Sequence, residues 1–381
     1  MSRPEPIRVL HLVAGGGRRG AEIFASDLVR ALARHEVAQE VAVVTSPVPL
    51  AVEYDSPVRV MGTGRWRVPA LGVDVRALSA VRALVRSFRP HVIQSHGGEP
   101  LKYLALVGGR PPIVHRRIGL VQHRVGRVRV AAHGWLMRMA SMTVAVAEAV
   151  REETIARFGV DPERIVTIRN AVDRERLRPV RGRQATRQAL GIASSDTVLL
   201  SVGALRAEKD PLAYVELFAS VSNEHPEALL MFVGDGPLDA HVRYELRRRG
   251  LDGRSRLLGD RDDMGDVMAA ADIAILASPT EGMEGMPASV IEAGMAGIPT
   301  ASYGVGGVPE VVQNGATGLL AAPGEIGELT RCVLTLLEND SMRRAMGAEA
   351  RRRYTARFDI GAIANDYLEV YQTAATSPLA A

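Results

Sequence analysis

The chain alternates short apolar runs with helix-length amphipathic segments, and this alternation begins twice. The first series starts at residues 7–14, which are almost continuously apolar, as buried parallel strands are. The second starts at residues 197–202, after a charged, proline-containing linker. Alternation of this kind predicts parallel sheets that are covered by helices. We therefore expect an α/β protein made of two Rossmann-like domains in tandem.

The length and the charge distribution of the chain agree with two domains. A single hydrophobic core rarely grows beyond about 250–300 residues, and this chain has 381. We place one domain at residues 1–174 and the other at residues 175–358. Residues 1–175 carry 26 Lys and Arg against 16 Asp and Glu, a net charge of +10, whereas the remainder has 21 against 27, or −6. The basic first half favours contact with something anionic, such as an acidic acceptor or a membrane face.

Charged side chains follow the strands of the second domain, where ligands bind in open α/β sheets. The loop after residues 197–202 carries Arg206 and Lys209, two cations suited to a diphosphate. A later loop carries Glu284, and Glu292 points from the second turn of the helix that we expect to begin at Pro287.

The start of that helix adds an anion site between the two carboxylates. The amides of Ala288, Ser289 and Val290 would lie in its first turn, where they have no acceptor within the helix. A ligand with hydroxyls at both ends and a phosphate in the middle would suit this arrangement. A nucleotide sugar answers that description.

The same stretches resemble a known family over nearly the whole chain. The run E-G-M-P-x-x-x-x-E-A-x-x-x-G-x-P from Glu284 is similar to the signature of the retaining glycosyltransferases of family four, which have the GT-B fold. The run V-G-x-L-R-x-E-K-D that ends at Asp210 resembles the diphosphate-binding segment of that family. Three shorter motifs also match it, namely Asn170-Ala-Val-Asp173, Gly234-Asp-Gly-Pro237 and Gly306-Gly-Val-Pro-Glu310.

The resemblance implies a role for each matching residue. Glu292 would hold the ribose hydroxyls, Glu284 would face the donor sugar, and Arg206 with Lys209 would neutralise the leaving diphosphate. The implied catalytic residues are Glu284, Arg206, Lys209 and His96, the last beside the transferred sugar. The implied donor-binding residues are Glu292, Gly203, Gly234, Asp235, Arg261, Met286, Pro287, Ala288 and Ser289. The residues expected near the acceptor or the phosphate are Gly16, Gly17, Glu22, Glu99 and Arg116.

The register of the signature and the need for a metal both depend on spacing. Glu281 begins a second E-G-M, but eight residues separate Glu284 from Glu292 and eleven separate Glu281 from it, which favours Glu284. An Asp-x-Asp pair for a metal-bound diphosphate is missing from the expected place, and residues 260–263 lie on the wrong loop. We expect metal-independent transfer that requires no cofactor besides the nucleotide-sugar co-substrate.

The family resemblance also implies the reaction and the course of the last helix. A hexosyl or N-acetylhexosaminyl group would move, with its anomeric configuration retained, from a UDP-sugar, or less commonly a GDP-sugar, to a hydroxyl acceptor. Natural-product, glycolipid and cell-envelope glycan biosynthesis all use such transfers. The helix from about residue 359 to residue 381 would cross back to the first domain, which would bind the acceptor and face the second across a cleft.

Three other functions remain open on sequence alone. Gly15-x-Gly17-x-x-Gly20, with Glu40 about 20 residues on, is formally the dinucleotide fingerprint of an oxidoreductase. Another GT-B enzyme, such as a nucleotide-sugar epimerase or a phosphorylase, is closer, although a phosphorylase needs a lysine near the C-terminus and the last lysine is Lys209. The arginine-rich residues 110–138 could instead belong to a non-catalytic module that docks on an anionic membrane.

The remaining composition limits the compartment and the partners. Cys332 is alone, so neither a disulfide framework nor a cysteine metal site is expected. The apolar run at residues 7–14 is too short for an export signal, and no run approaches the length of a membrane span. Few aromatic residues argue against a stacking groove for a polymer, and no nucleic-acid partner is expected. We expect a cytoplasmic monomer or dimer that can contact the inner membrane face peripherally.

Overall fold

The computed structural model describes residues 5–68, 72–109, 111–121, 126–279 and 284–376. The chain divides into two units, one formed by Met1–Ala171 with Ile360–Ala381 and the other by Val172–Asp359. The sequence-based boundaries, at residues 174 and 358, lie within three residues of these limits.

The first unit is built on a parallel sheet of seven strands. Its order is β3-β2-β1-β6-β7-β8-β9, so the chain starts in the middle and winds outward in both directions. The strands are β1 (Ile7–Val13), β2 (Val37–Val43), β3 (Val58–Val60), β6 (Val92–His96), β7 (Ile113–Arg117), β8 (Met142–Ala145) and β9 (Ile165–Thr167). A separate antiparallel pair consists of β4 (Arg67–Val68) and β5 (Val73–Asp74). The helices are α1 (Gly20–Leu32), α2 (Val75–Phe88), α3 (Gly98–Ala105), α4 (Arg127–Arg138), α5 (Glu148–Phe158) and α14 (Ile360–Thr376).

Helix α14 packs into the core of the first unit. Its buried residues Ile363, Tyr367 and Tyr371 join one apolar cluster with Val9 of β1 and Phe24 of α1. The predicted return of the last helix to the first domain is therefore confirmed. The apolar face of this helix explains why the chain comes back, because these side chains would otherwise be exposed to water.

The second unit is built on a parallel sheet of six strands in the order β12-β11-β10-β13-β14-β15. Its strands are β10 (Thr197–Val202), β11 (Ala228–Val233), β12 (Ser255–Leu257), β13 (Ile273–Leu276), β14 (Thr300–Tyr303) and β15 (Gly318–Ala321). Its helices are α6 (Gly182–Ala189), α7 (Pro211–Glu224), α8 (Asp239–Arg248), α9 (Met264–Ala270), α10 (Ala288–Ala296), α11 (Val308–Val311), α12 (Ile326–Glu338) and α13 (Asp340–Arg357). Single 3-10 turns span Pro162–Arg164 in the first unit, and Arg174–Leu177, Ala207–Lys209 and Asp252–Arg254 in the second.

Local chemistry sets the ends of these elements. Asp210 is the N-cap of α7, its side chain accepts a hydrogen bond from the amide of Ala213, and Pro211 opens the helix as predicted. Pro287 differs from the prediction, because it is the N-cap of α10 in an extended conformation and the helix begins one residue later. Among the described helices, none combines the length and the apolar character that a bilayer crossing requires.

Candidate active site

Three loops of the second unit leave neighbouring strands at the same edge of the sheet. Strands β11, β10 and β13 are adjacent and parallel, so the loops that follow them begin side by side. The loop after β10 carries Arg206 and Lys209, and the one after β13 leads to Glu284. The topology therefore brings the predicted cations and the first carboxylate to one place.

Lys209 and Glu284 are in direct contact. The Nζ atom of Lys209 donates to Oε1 of Glu284, and the hydroxyl of Ser278 donates to the same oxygen at 2.6 Å. Glu284 is buried, whereas Lys209 is half-buried. The pair thus places a cation and a carboxylate together at the carboxyl end of the sheet, with the ammonium still open to solvent.

Tyr214 of α7 supports the start of the loop that leads to Glu284. Its phenol oxygen accepts a hydrogen bond from the amide of Ala277 at 3.0 Å. Burial raises the pKa of Tyr214 to about 12, and the carboxylate of Glu284 adds to the shift. The phenol therefore stays neutral at physiological pH. Motif reasoning missed this residue because it lies within an ordinary helix pattern.

Arg206 is the N-cap residue of the Ala207–Lys209 turn, which ends at Lys209. Its carbonyl accepts the amide of Lys209 at 3.0 Å, which fixes the two residues on one short turn. Its side chain is half-buried, and within the described ranges no carboxylate lies at ion-pair distance from its guanidinium. The loop after β10 thus carries two cations three residues apart.

Glu292 is paired with a residue that the sequence had not suggested. Its Oε1 accepts a hydrogen bond from Nη2 of Arg176 at 2.6 Å, and both side chains are largely buried. Arg176 lies in the 3-10 turn Arg174–Leu177, in a stretch that the sequence indicated to be a linker. Its position three residues after the Asn170-Ala-Val-Asp173 motif was the only available signal. The structure thus gives each signature glutamate its own cation, Lys209 for Glu284 and Arg176 for Glu292.

The glycines of the second unit hold two loops close together. Gly234 has a φ of +120°, and a Cβ added there would lie 2.3 Å from the carbonyl oxygen of Gly203. The amide of Leu205 donates to the carbonyl of Asp235 at 2.8 Å, while the Asp235 side chain is exposed. Backbone packing therefore requires Gly234 whether or not a ligand approaches it.

The first turn of α10 offers two amides rather than the predicted three. The amide of Val290 already donates to the carbonyl of Pro287 at 3.2 Å. The amides of Ala288 and Ser289 lie in the first turn, where a helix supplies no acceptor. Met286, two residues before the helix, is buried. The anion site at this helix is therefore smaller than expected, because the N-cap proline closes the turn early.

Arg261 and the acidic residues around it form a closed ion-pair group. The guanidinium of Arg261 binds Asp263 at 2.8 and 2.6 Å, and Asp263 also contacts Arg181. The hydrogen bonds from Arg261 hold the pKa of Asp263 below its usual value. In the part of the chain that the structure describes, no three His, Cys, Asp or Glu side chains lie together in a way that could bind a metal ion.

His96 ends strand β6 of the first unit and is buried against a second histidine. Its Nε2 lies 3.1 Å from Nδ1 of His11, whose own Nε2 lies 3.1 Å from Oε1 of Gln39. Burial lowers the pKa of His11 to about 4, and burial followed by the charges of His11, Arg116 and His115 lowers the pKa of His96 well below its ordinary value. Both rings are therefore neutral near pH 7.

The glycine loop before α1 is shaped by Glu22. Its Oε1 accepts the amide of Gly15 at 3.3 Å, and burial raises the pKa of this carboxyl. A Cβ on Gly16 would meet the Ser46 hydroxyl at 2.3 Å, whereas Gly17 has open space around it. A side chain at Gly16 would therefore require Ser46 to move, whereas one at Gly17 would not.

The arginine-rich stretch does not form one basic surface. Arg116 and Arg117 lie on β7, inside the sheet. Arg116 is buried, lies 3.5 Å from the ring centre of Phe24 and donates to Asn170 at 2.7 Å, and burial lowers its pKa. Arg127 and Arg129 are exposed on α4, and Arg124 lies outside the described residues. Among the described arginines of this stretch, two therefore lie on a central strand and two on an exposed helix face.

Two carboxylates named from the sequence remain to be located, Glu99 and Glu281. Glu99 forms ion pairs with Arg67 at 2.9 Å and Lys102 at 2.5 Å and is partly exposed. Glu281, the alternative to Glu284, lies outside the described residues. The choice of Glu284 over Glu281 as the signature residue therefore still depends on the spacing to Glu292.

Two family models match the chain in succession. Residues 18–176 match the model described as Glycosyltransferase Family 4, and residues 182–353 match the model described as Glycosyl transferases group 1. Together they account for most of the chain and follow its division into two units.

Curated relatives and solved structures agree with these models. N-acetyl-alpha-D-glucosaminyl L-malate synthase of Bacillus anthracis is 30% identical over 54% of this chain, which spans 53% of that protein. Glycogen synthase of Mycobacterium tuberculosis is 28% identical over 76% of this chain and 70% of its own length. The crystal structure of Anabaena Alr3699/HepE in complex with UDP and glucose has a TM-score of 0.83 at 22% identity, covering 96% of this chain and 100% of that one. The predicted α/β fold and family are confirmed, and the chain belongs to the family-four type of GT-B glycosyltransferases.

Proposed function

We propose that the protein is a retaining glycosyltransferase that moves a hexosyl or N-acetylhexosaminyl group from a nucleoside-diphosphate sugar to a hydroxyl acceptor. A UDP-sugar is the favoured donor, as the structural neighbour crystallised with UDP and glucose suggests. The observation that carries the proposal is the contact between Lys209 and Glu284, with Arg206 three residues before Lys209 on the same loop and in no ion pair with a described residue. This places two cations and a carboxylate at the edge of the second sheet where ligands of α/β proteins bind.

The second unit would bind the donor. Arg206 and Lys209 would hold the diphosphate, helped by the first-turn amides of α10. Glu292, oriented by Arg176 at 2.6 Å, would accept hydrogen bonds from the ribose hydroxyls. Glu284, held by Ser278 at 2.6 Å, would face the donor sugar. The charges of Lys209, Glu284 and Glu292 are already ordered by neighbouring side chains, so these three residues need little reorganisation on binding.

The reaction would proceed on one face of the sugar. The bond between the anomeric carbon and the β-phosphate oxygen breaks, and a new bond to the acceptor oxygen forms on the same side. The acceptor proton passes to the departing phosphate oxygen, whose charge the two cations of the loop after β10 stabilise. These groups supply the charge stabilisation that a divalent ion gives in other enzymes, so we propose transfer without a metal.

The first unit would bind the acceptor. The space beside Gly17, the partly exposed Glu99 and the exposed arginines of α4 are the available polar features. Arg127 and Arg129 would contact an anionic acceptor or an anionic lipid surface. The buried Arg116 would act through Asn170 rather than by touching the acceptor.

The two lysines of the chain make donor binding directly testable. Lys102 and Lys209 are its only lysines, so reductive methylation with ¹³C-formaldehyde labels just these two side chains and the α-amino group. We expect UDP or GDP to shift the Lys209 methyl signal and leave the Lys102 signal in place, with NAD shifting neither. A shift with NAD but not with UDP or GDP would point to the oxidoreductase alternative instead.

A turnover assay completes the test. Mass spectrometry with a panel of nucleotide sugars and hydroxyl acceptors, with and without EDTA, is expected to show sugar transfer that survives chelation. NMR of the product should show the anomeric configuration of the donor. Product with inverted configuration, or activity that vanishes with EDTA, would contradict the proposed mechanism.

A further inference from the structure

Three side chains on neighbouring strands of the first unit form a hydrogen-bonded chain. Gln39 of β2, His11 of β1 and His96 at the end of β6 are linked through contacts of 3.1 Å each. Strand β1 pairs with both β2 and β6, so the chain runs across the sheet. It ends at Nδ1 of His96, a buried atom for which the structure gives no hydrogen-bond partner among the described residues.

The orientation of Gln39 sets the direction of these hydrogen bonds. Its Nε2 lies 3.0 Å from the backbone carbonyl of Val29, which can only accept, so this nitrogen donates there. The atom that faces His11 is then the amide oxygen, which can only accept. His11 must therefore carry its proton on Nε2.

The direction passes on to His96 because His11 is neutral. A neutral imidazole with its proton on Nε2 has a lone pair on Nδ1. That lone pair faces Nε2 of His96 at 3.1 Å, so His96 donates from Nε2 and has its own lone pair on Nδ1. The opposite arrangement would set the lone pair of His11 Nε2 against the oxygen of Gln39.

The surroundings keep both rings neutral. The rings of His11 and His96 stack with centres 5.4 Å apart, Tyr371 meets the edge of His11, and Phe24 lies beside His96. Burial is the main cause that lowers the pKa of each ring, and the positive charge of Arg116 also lowers that of His96. A second proton on His11 would lie on its Nδ1 and would set this N–H against the Nε2–H of His96.

We propose that Gln39 and His11 are positioning residues that hold His96 as the Nε2-protonated tautomer, so that its Nδ1 accepts a hydrogen bond. The bound group at this atom is then a donor, such as a hydroxyl, and a phosphate or carbonyl oxygen is rejected. The identification of that group as a substrate hydroxyl rests on the proposed glycosyl transfer. The assignment of the His96 tautomer is independent of that proposal.

The unsatisfied Nδ1 of His96 ends a hydrogen-bonded chain, whereas the buried Nδ1 of His115, which also lacks a partner among the described residues, belongs to no such chain. Buried polar atoms are nearly always hydrogen-bonded, so the Nδ1 atom of His96 has room for a donor from a ligand. Here one nitrogen is fixed by a chain that spans three strands, and the other is unpartnered among the described residues. The fixed polarity is useful only if a donor reaches Nδ1.

The tautomers can be read from the full-length protein. In ¹⁵N-histidine-labelled protein at pH 7, long-range ¹H–¹⁵N spectra distinguish protonated from unprotonated ring nitrogens for each of the 9 histidines. We expect His11 and His96 both to be protonated on Nε2. Gln39→Leu should produce a mixture of tautomers, whereas Gln94→Leu should not, because this buried strand amide neighbours His11 but makes no hydrogen bond to a histidine among the described residues.

Activity supplies an independent readout. With a verified donor, Gln39→Leu should lower kcat about tenfold, the worth of one buried hydrogen bond, while the KM for the nucleotide sugar changes little. An Nδ1-protonated His96 in the wild-type protein overturns the proposal. Correct tautomers with no sugar transfer from any donor would leave the positioning role standing and refute the glycosyltransferase assignment.

Discussion

Replacing Lys209 by methionine separates the contribution of this cation to catalysis from its contribution to stability. Its side chain is 35% exposed, whereas that of Glu284 is 6% exposed. Removing one partner of a fully buried pair costs about 3–5 kcal/mol. Water can replace part of the ammonium at this exposure, so we expect a loss of about 1–2 kcal/mol in the free energy of unfolding.

The expected catalytic loss is larger. A cation that stabilises the leaving diphosphate contributes about 3 kcal/mol to the transition state, which corresponds to a kcat about a hundredfold lower. Nucleotide release measures kcat, and urea unfolding measures stability. Lys209→Arg retains the charge and should recover most of the activity. Arg352→Met, which removes an exposed ion-paired cation from α13, should change neither quantity appreciably.

The activities of Lys209→Met and Lys209→Arg could each contradict a catalytic role for this cation. If Lys209→Met turned over a verified donor within threefold of the wild-type rate, the leaving group would not depend on this cation. Equal loss of activity in Lys209→Arg would also count against it, because the charge is kept there and only the geometry changes.

Three further substitutions test other features. Arg176→Leu leaves the buried Glu292 without its partner and should weaken UDP binding at least tenfold by calorimetry, with kcat affected less. Burial lowers the pKa of His115 to about 3, so the unfolded state takes up a proton below about pH 6.5 that the folded state does not. Between pH 6 and pH 4 the free energy of unfolding of the wild type should therefore fall by about 2.5 kcal/mol more than that of His115→Gln. Parallel plots of unfolding free energy against pH for the two proteins would contradict this. Gly234→Ala should cost about 3 kcal/mol because its Cβ would lie 2.3 Å from a carbonyl at a φ of +120°, whereas Gly253→Ala, with open space, should be tolerated in the same thermal melts.

Strands with continuous apolar runs were the easiest elements to predict from the sequence. Strand Thr197–Val202 has the bounds that the sequence predicted, because Asp196 and Gly203 border the run. Helix α3 was missed because its start, Gly97-Gly98-Glu-Pro100, has the composition of a turn. Gly97 is at a φ of +93°, which shows that the turn exists and that the helix follows it directly.

The candidate site could be predicted only where a motif was local. Short sequence motifs with a recognisable spacing contain Glu284, Glu292, Arg206 and Lys209. Arg176 is 116 residues from the carboxylate that it binds, so no spacing reports the pair. Gln39, His11 and His96 lie 28 and 85 residues apart, and each is one polar residue in a strand pattern. Contacts between distant strands depend on the order of the sheet, which the sequence pattern leaves open.

The return of helix α14 to the first unit has a consequence for biosynthesis. A ribosome completes residues 1–171 long before it reaches residue 360, yet the core that these residues begin includes Tyr367 and Tyr371. The nascent chain must therefore carry an open apolar face while the whole of Val172–Asp359 is translated. The half of the protein that is made first is consequently the half that is finished last, and chaperones have the longest access to it.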